Sequence, residues 1–263
     1  LIWLLLCAAL CRESTLLHIP APSVDILVTM DCLRALGCKI DSLPGGDFRL
    51  TPPEHFSPSP ALFCRESGST LRFLLPVAAA LGSEARFSGE GRLPERPLDE
   101  LLTQLMEHGA AFSAPALPFT LSGKLKGGVF TLPGDVSSQY ITGLLLAAPL
   151  MEEGCEIVLT SPLQSAPYVE MTLSAMAQFG VTVERTSQGF RVAPGQRYQS
   201  PGQVTAEGDW SGAAFFLCAG ALGGPVTVSG LTPRSSQGDK AVADILRDMG
   251  AILSWNGDAL TVS

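Results

Sequence analysis

What the chain has little of narrows it first. Only three histidines occur in 263 residues, none at ligand spacing from another, and seven cysteines form no Cys-x-x-Cys pair. A structural zinc site needs clustered nitrogen or sulfur ligands, so neither zinc nor any other metal is expected. Cys7, Cys11, Cys32, Cys38, Cys64, Cys155 and Cys218 make an odd set. That fits small apolar side chains in a reducing, cytoplasmic setting better than a disulfide framework. Positive charge is also short, with 17 Lys and Arg against 25 Asp and Glu, a net charge of −8. A nucleic-acid binder normally shows a basic face, so no nucleic-acid partner is expected. An anionic ligand would need local positive charge rather than a favourable overall field.

The longest apolar opening, Leu1 to Leu10, is too short to span a bilayer and lacks a basic n-region or a starting Met. No membrane association is expected, and the segment reads as a helix with its beginning missing. With 46% hydrophobic and 16% charged residues the chain is globular and able to bury a core. Its length suits one large domain or two of moderate size.

What is present is a repeat. Gly134-Asp135-Val136-Ser137-Ser138-Gln139 precedes the apolar run Tyr140 to Leu150, the pattern of a capped helix start. Ser67-Gly68-Ser69-Thr70 leads likewise into Leu71 to Leu81, and Gly208-Asp209-Trp210-Ser211 into Ala213 to Leu222. The first turn of a helix leaves N–H groups unpaired and partially positive, so hydroxyls there make a cradle for a phosphate or carboxylate. The closing leucines Leu10, Leu81, Leu150 and Leu222 recur every 69 to 72 residues. A second helix type (Asp25–Leu36, Leu98–His108, Val169–Phe179, Lys240–Met249) stops at Gly37, Gly109, Gly180 and Gly250 on the same beat. Glycine past a helix end is ordinary; four in phase with four Ala-rich helices mean an internal repeat.

Each repeat reads as helix, strand, helix, strand and a hairpin-like pair. Strands are expected at Thr15–Ile19, Cys38–Ile40, Asp47–Thr51, Glu156–Thr160, Val181–Val183, Val226–Val228, Ile252–Trp255 and Leu260–Val262. Pro52 to Pro60 is a loop, Ser88 to Pro97 an exposed loop, and Lys124 to Gly128 a hairpin turn. Phe215 and Phe216 read as core, and Asp209 and Trp210 as shaping an interdomain hinge. Ser200-Pro201-Gly202 marks the crossing, giving a first domain of residues 1–205 with three repeats and a second of 206–263 with one. That last repeat is expected to leave an exposed apolar flank, and with it poor solubility or a missing partner segment.

Six motifs stand in order: Glu66-Ser67-Gly68-Ser69-Thr70-Leu71-Arg72, Glu95-Arg96-Pro97, Gly134 to Gln139, Ser165-Ala166-Pro167-Tyr168, Glu207-Gly208-Asp209-Trp210-Ser211 and Gln237-Gly238-Asp239. Together they resemble the EPSP synthase family, the 3-phosphoshikimate 1-carboxyvinyltransferases of the shikimate pathway, over essentially the whole chain. The resemblance implies an α/β fold of βαβαββ units, three per domain, with inner helices opening into a cleft. Four of the family's six units would be present, the chain being truncated at both ends. It implies transfer of the enolpyruvyl group of phosphoenolpyruvate to the 5-hydroxyl of shikimate 3-phosphate, for aromatic amino acid biosynthesis. No cofactor is implied; the partners are small anionic substrates, and the complete enzyme would be a monomer.

Residue by residue, the resemblance gives shikimate 3-phosphate to Ser137, Ser138, Gln139 and Ser165, with Tyr168 beside its ring. It gives phosphoenolpyruvate to Gly68 and Arg96, with Gln139 between the two substrates. Glycine lets backbone approach an anion, and a guanidinium forks onto carboxylate or phosphate. Against this, Arg65, Arg72, Arg86, Arg92 and Arg96 would by default be solvated surface charge. Tyr168 would by default pack on the core, and Glu66 receives no role.

The departures weigh as much. Leu1-Ile2-Trp3 stands where the family carries a Lys-Ser…His-Arg run, Val24 stands where an acidic residue usually precedes Asp25, and the last third with its acid/base carboxylates is absent. No catalytic residue is assigned, and the chain alone is expected to be inactive. Two other readings are a UDP-N-acetylglucosamine enolpyruvyl transferase, which would want a reactive Cys near Arg92 to Arg96, and a non-catalytic anion-binding remnant.

Overall fold

The computed structural model describes residues 1–19 and 21–263 and falls into two compact units, Leu1–Thr205 and Ala206–Ser263. In the larger, the first repeat comprises α1 (Ile2–Ala9), β1 (Thr15–His18), α2 (Val24–Ala35), β2 (Lys39–Leu43) and β3 (Asp47–Thr51). The second runs β4 (Ala61–Phe63), α3 (Gly68–Leu81), β5 (Ala85–Ser88), α4 (Asp99–Glu107), β6 (Ala111–Phe112) and β7 (Phe119–Ser122). The third repeats this as β8 (Gly128–Leu132), α5 (Ser138–Ala147), β9 (Cys155–Leu159), α6 (Ala166–Gln178), β10 (Glu184–Thr186) and β11 (Gly189–Val192), and β12 (Gln203–Thr205) closes the unit.

Topology explains the beat. The sheets run β4-β5-β7-β6 and β8-β9-β11-β10, each with its first two strands parallel and the other neighbours antiparallel. The first sheet is β12-β1-β3-β2, with β12 parallel to β1 and Leu17 opposite Val204. Residues 203–205 thus supply the opening strand that the first repeat lacks in sequence, and all three repeats share one βαβαββ plan. Parallel neighbours need a crossover, and an inner helix makes it in the second and third repeats.

Sequence chemistry sets the helix ends. Ser67 Oγ accepts from Thr70 N–H at 3.4 Å and Ser137 Oγ from Gln139 N–H at 3.3 Å. Gly37, Gly109, Gly180 and Gly250, just past the outer helices, have φ of 106°, 101°, 77° and 100°, a region that side-chain-bearing residues avoid. Inner helices α3 and α5 pack closely because Gly143 has no side chain. A Cβ there would fall 2.4 Å from the Arg72 carbonyl oxygen and 3.0 Å from Pro76 Cγ. Leu74 and Leu75 of α3 and Ile141, Leu144 and Leu145 of α5 are buried.

The smaller unit holds α7 (Trp210–Gly223), β13 (Val226–Val228), α8 (Ala241–Asp248), β14 (Leu253–Asn256) and β15 (Ala259–Val262), with sheet order β13-β15-β14. Among the described residues no strand pairs with the other edge of β13, where the remaining sheets carry their opening strand.

Several expectations need correction. Lys124 to Gly128 is not a hairpin turn: β7 and β8 belong to different sheets, and buried Leu125 donates its N–H to the Ala79 carbonyl at 2.9 Å. Val181 to Val183 is not a strand, because the Gln196 side chain takes both backbone groups of Thr182, at 2.7 and 2.8 Å, before β10 begins. Phe215 and Phe216 are 80% and 64% exposed rather than core. Trp210 is fully buried in the smaller unit's core with Leu217, Leu231 and Leu260, and Asp209 caps α7. No described helix is long and apolar enough to cross a membrane.

Candidate anion-binding site

The openings of α3 and α5 lie side by side, and a chain of polar contacts joins them. Gln139 is the link: its Nε2 donates to Ser69 Oγ at 3.0 Å, and its Oε1 accepts from Arg72 Nη1 at 2.7 Å. Arg96 arrives from the loop after β5. A Cβ on Gly68 would lie 2.8 Å from Arg96 Nη1 and 3.2 Å from Arg72 Nη1, so the glycine makes room for two guanidinium groups at the first turn of α3. Neither arginine has a carboxylate partner among the described residues. Burial pushes Arg72 below the usual arginine range, an effect that the like charge of Arg96 reinforces and nearby Tyr140 opposes. Two uncompensated positive charges beside a helix N-terminus form a local field for an anion on a chain of net charge −8.

The loop Ser88 to Pro97 is exposed over most of its length, as expected, and is pinned as well. Glu90 N–H donates to the Arg65 carbonyl at 2.9 Å, Arg92 N–H to Glu66 Oε1 at 3.4 Å, and Leu93 is buried. A Cβ on Gly89 would meet Leu93 at 2.7 Å and the Arg65 oxygen at 2.9 Å. Glu66, given no role from sequence, therefore supports the loop that carries Arg96.

The second cluster lies at the openings of α5 and α6. Gln164 N–H donates to the Gly134 carbonyl, and Gly134 N–H to Ser161 Oγ, both at 2.9 Å, so the two preceding loops are tied. Helix contact continues below through Thr142 and Thr172, whose hydroxyls are 2.8 Å apart. Ser137 spends its hydroxyl on capping, whereas those of Ser138 and Ser165 have no hydrogen bond among the described residues. Ser165 has φ 56°, a left-handed conformation that serine rarely adopts. Tyr168 is 46% exposed and does not pack on the core as its default reading had it. The two unspent hydroxyls are donors available to an oxygen-rich anion. The described residues contain no group of three or more His, Cys, Asp or Glu placed to hold a metal.

Residues 3–263 match the family model of EPSP synthase (3-phosphoshikimate 1-carboxyvinyltransferase). The chain belongs to the EPSP synthase family. A 3-phosphoshikimate 1-carboxyvinyltransferase of Methanocorpusculum labreanum is 38% identical over 98% of this chain and 62% of its own length. Its counterpart in Clostridium kluyveri is 38% identical over 92% of this chain and 57% of its own length. A solved EPSP synthase of Acinetobacter baumannii shares the fold, with a TM-score of 0.77 at 21% identity, covering 99% of this chain and 60% of that one. The chain thus spans about 60% of the EPSP synthases it matches.

Of the residues singled out through the resemblance, Gly68 lies against Arg96, Gln139 is linked to Ser69 and Arg72, and the Gly134 loop before Ser137 and Ser138 is tied to the loop before Ser165. Sequence reasoning passed over Arg72, taken for solvated surface. The available signal was a lone charge in the apolar helix Leu71 to Leu81.

Proposed function

We propose that this chain carries the shikimate 3-phosphate site and the Gly68–Arg96 side of the phosphoenolpyruvate site of an enolpyruvyl transferase. In the reaction the 5-hydroxyl of shikimate 3-phosphate gives up its proton as its oxygen bonds to C2 of phosphoenolpyruvate, while the double bond opens and a proton adds at the methylene carbon. Loss of phosphate and a proton from the resulting ketal restores the double bond. Positive charge fixed beside the reacting anions stabilises what develops in the transition state. Ser137, Ser138, Gln139 and Ser165 would hold the sugar phosphate, Tyr168 would flank its ring, and Gly68, Arg96 and Gln139 would meet phosphoenolpyruvate. The general acid and base are not assigned to residues of this chain.

One observation carries the reading: two guanidiniums without carboxylate partners meet at Gly68 and connect through Gln139 to the α5 opening. The UDP-N-acetylglucosamine reading is not favoured, since Ser88 to Pro97 contains no cysteine and the relatives named above are 3-phosphoshikimate 1-carboxyvinyltransferases. Seven free thiols, six of them buried, support a reducing cytoplasmic setting. A two-domain arrangement with residues 1–205 and 206–263 in separate domains, acting as a monomer when complete and without nucleic acid or membrane, belongs to the same proposal.

Calorimetry with shikimate 3-phosphate tests it. Binding is expected, and Ser137→Ala/Ser138→Ala should abolish it; a wild-type chain that takes up no shikimate 3-phosphate refutes the reading.

A further inference from the structure

Arg72 is a charged group at this site to which the proposed function gives no task. It is half-buried on α3 and reaches out in two directions. Nη1 donates to Gln139 Oε1 at 2.7 Å, and Nη2 donates to the Pro97 carbonyl at 3.2 Å. The Tyr140 hydroxyl donates to that same carbonyl at 2.7 Å, and the guanidinium carbon lies 5.6 Å from the Tyr140 ring centroid. Nε is buried without a partner. Holding a cation there beside Arg96, with no carboxylate, is unfavourable for folding. Gly143 already brings α5 against the Arg72 carbonyl and Pro76 of α3, so the charge is not needed to join the helices.

We propose that Arg72 is the positioning residue of the anion site, a two-headed strut fixing the Gln139 amide with one nitrogen and the Arg96–Pro97 turn with the other. This rests on the reading that Gln139 and Arg96 face phosphoenolpyruvate. The chemistry demands an arginine. An amide whose oxygen takes a guanidinium donor and whose nitrogen donates to Ser69 cannot flip, because the reversed amide would set donor against donor. The planar fork spans two acceptors on different elements, whereas the single nitrogen of a lysine, a compact point charge, does not reproduce that geometry. Substrate groups meeting Gln139 and Arg96 would then find both set in advance, with less ordering left to the binding step.

The test uses the 263-residue protein, ¹⁵N-labelled, and two variants. In the wild type, the Arg72 Nε–H and the Gln139 side-chain NH₂ should give resonances protected from solvent exchange. Arg72→Lys should raise Gln139 NH₂ exchange at least about tenfold while the backbone amides of Leu74 and Leu75 keep their protection. It should also weaken phosphoenolpyruvate binding, measured by calorimetry in the presence of shikimate 3-phosphate, by about tenfold. Tyr140→Phe, which removes the other donor to Pro97, should leave Gln139 exchange at the wild-type rate. An unprotected Arg72 Nε–H in the wild type, or unchanged Gln139 exchange in Arg72→Lys, overturns the proposal. Should Arg72→Lys not fold, the wild-type Nε–H signal and Tyr140→Phe still decide. Failure of the wild type to bind either substrate would instead refute the enolpyruvyl reading, and the exchange data would judge the strut separately.

Discussion

Leu74 and Leu75 of α3 are fully buried, whereas Phe215 and Phe216, at the same distance before the closing leucine of α7, are mostly exposed. Leu144 holds the corresponding place in α5 and is buried too. The helices themselves are alike in length, capping and composition. What differs is neighbours: α3 has α5 against it, while α7 packs chiefly on its own sheet and α8 through Trp210, Ala213 and Leu217. A single βαβαββ repeat buries the half of its inner helix that faces its own sheet, and only adjoining repeats cover the other half. The same local sequence pattern therefore yields a core stripe in one place and an apolar surface in another.

The sharpest way to break this comparison is to place a carboxylate at both positions. Leu75→Asp would bury an unpaired charge in the core of the larger unit and should cost more than about 4 kcal/mol, leaving that unit unfolded at 37 °C. Phe216→Asp should stay within about 0.5 kcal/mol of wild type and raise solubility. Urea unfolding followed by circular dichroism reads both. Similar losses at the two sites would mean that Phe216 is covered in solution.

Trp210→Ala asks whether the smaller unit's core is its own. Removing the largest buried side chain there should cost about 4 kcal/mol. Loss of amide-exchange protection should be confined to residues 206–263, with α3 and α5 unchanged. Parallel loss in both would show one cooperative system in place of two.

Much of this was legible in the sequence, for local reasons. Gly37, Gly109, Gly180 and Gly250 announce helix ends because their φ angles suit glycine, a property of the residue itself. Ser67, Ser137 and Asp209 announce helix starts for the same kind of reason. The grouping of Gly68, Arg96 and Gln139 came only through the family resemblance, not from any local signal. What escaped depends on distant partners. The Lys124–Gly128 turn crosses between sheets because of where Ala79 lies, and Thr182 is satisfied by a glutamine 14 residues on. Arg72 could not be recognised as a strut, since its acceptors are 67 and 25 residues away.

Alkaline pH should separate the units chemically. Burial pushes Cys11, Cys38 and Cys155 up to about 12, whereas thiols in the unfolded chain ionise near 9. Folded values above unfolded ones give stability that is complete below pH 9 and falls as pH rises toward 12. At pH 10 the loss should be on the order of 1 kcal/mol for each of these thiols, and Cys7 and Cys64, also raised, add to it. The smaller unit has only Cys218, partly exposed, and no tyrosine. Its urea midpoint should hold between pH 8 and 10 while the larger unit's falls; equal declines would contradict the buried-thiol account.

The smallest effects lie in the caps, where the comparison turns on what each capping oxygen is shared with. Asp209 is exposed and accepts from Ser211 N–H at 3.3 Å and Gly212 N–H at 2.9 Å, with no other task. Its replacement by alanine should cost about 1 kcal/mol, the usual value for an N-cap. Salt should reduce that cost, because part of it is a carboxylate against the helix dipole. Ser67 is buried, and its hydroxyl also accepts from Thr70 Oγ1 at 2.8 Å, which in turn meets Thr29 Oγ1 of α2 at 2.8 Å. Ser67→Ala would leave a hydroxyl short of a partner where water cannot replace it, adding about 1 kcal/mol to the cap loss, with no salt dependence. Urea titrations of both variants at low and high salt check this. Equal and equally salt-sensitive losses would mean that Ser67 acts as a cap alone, and that the buried threonine pair does not bind α2 to α3.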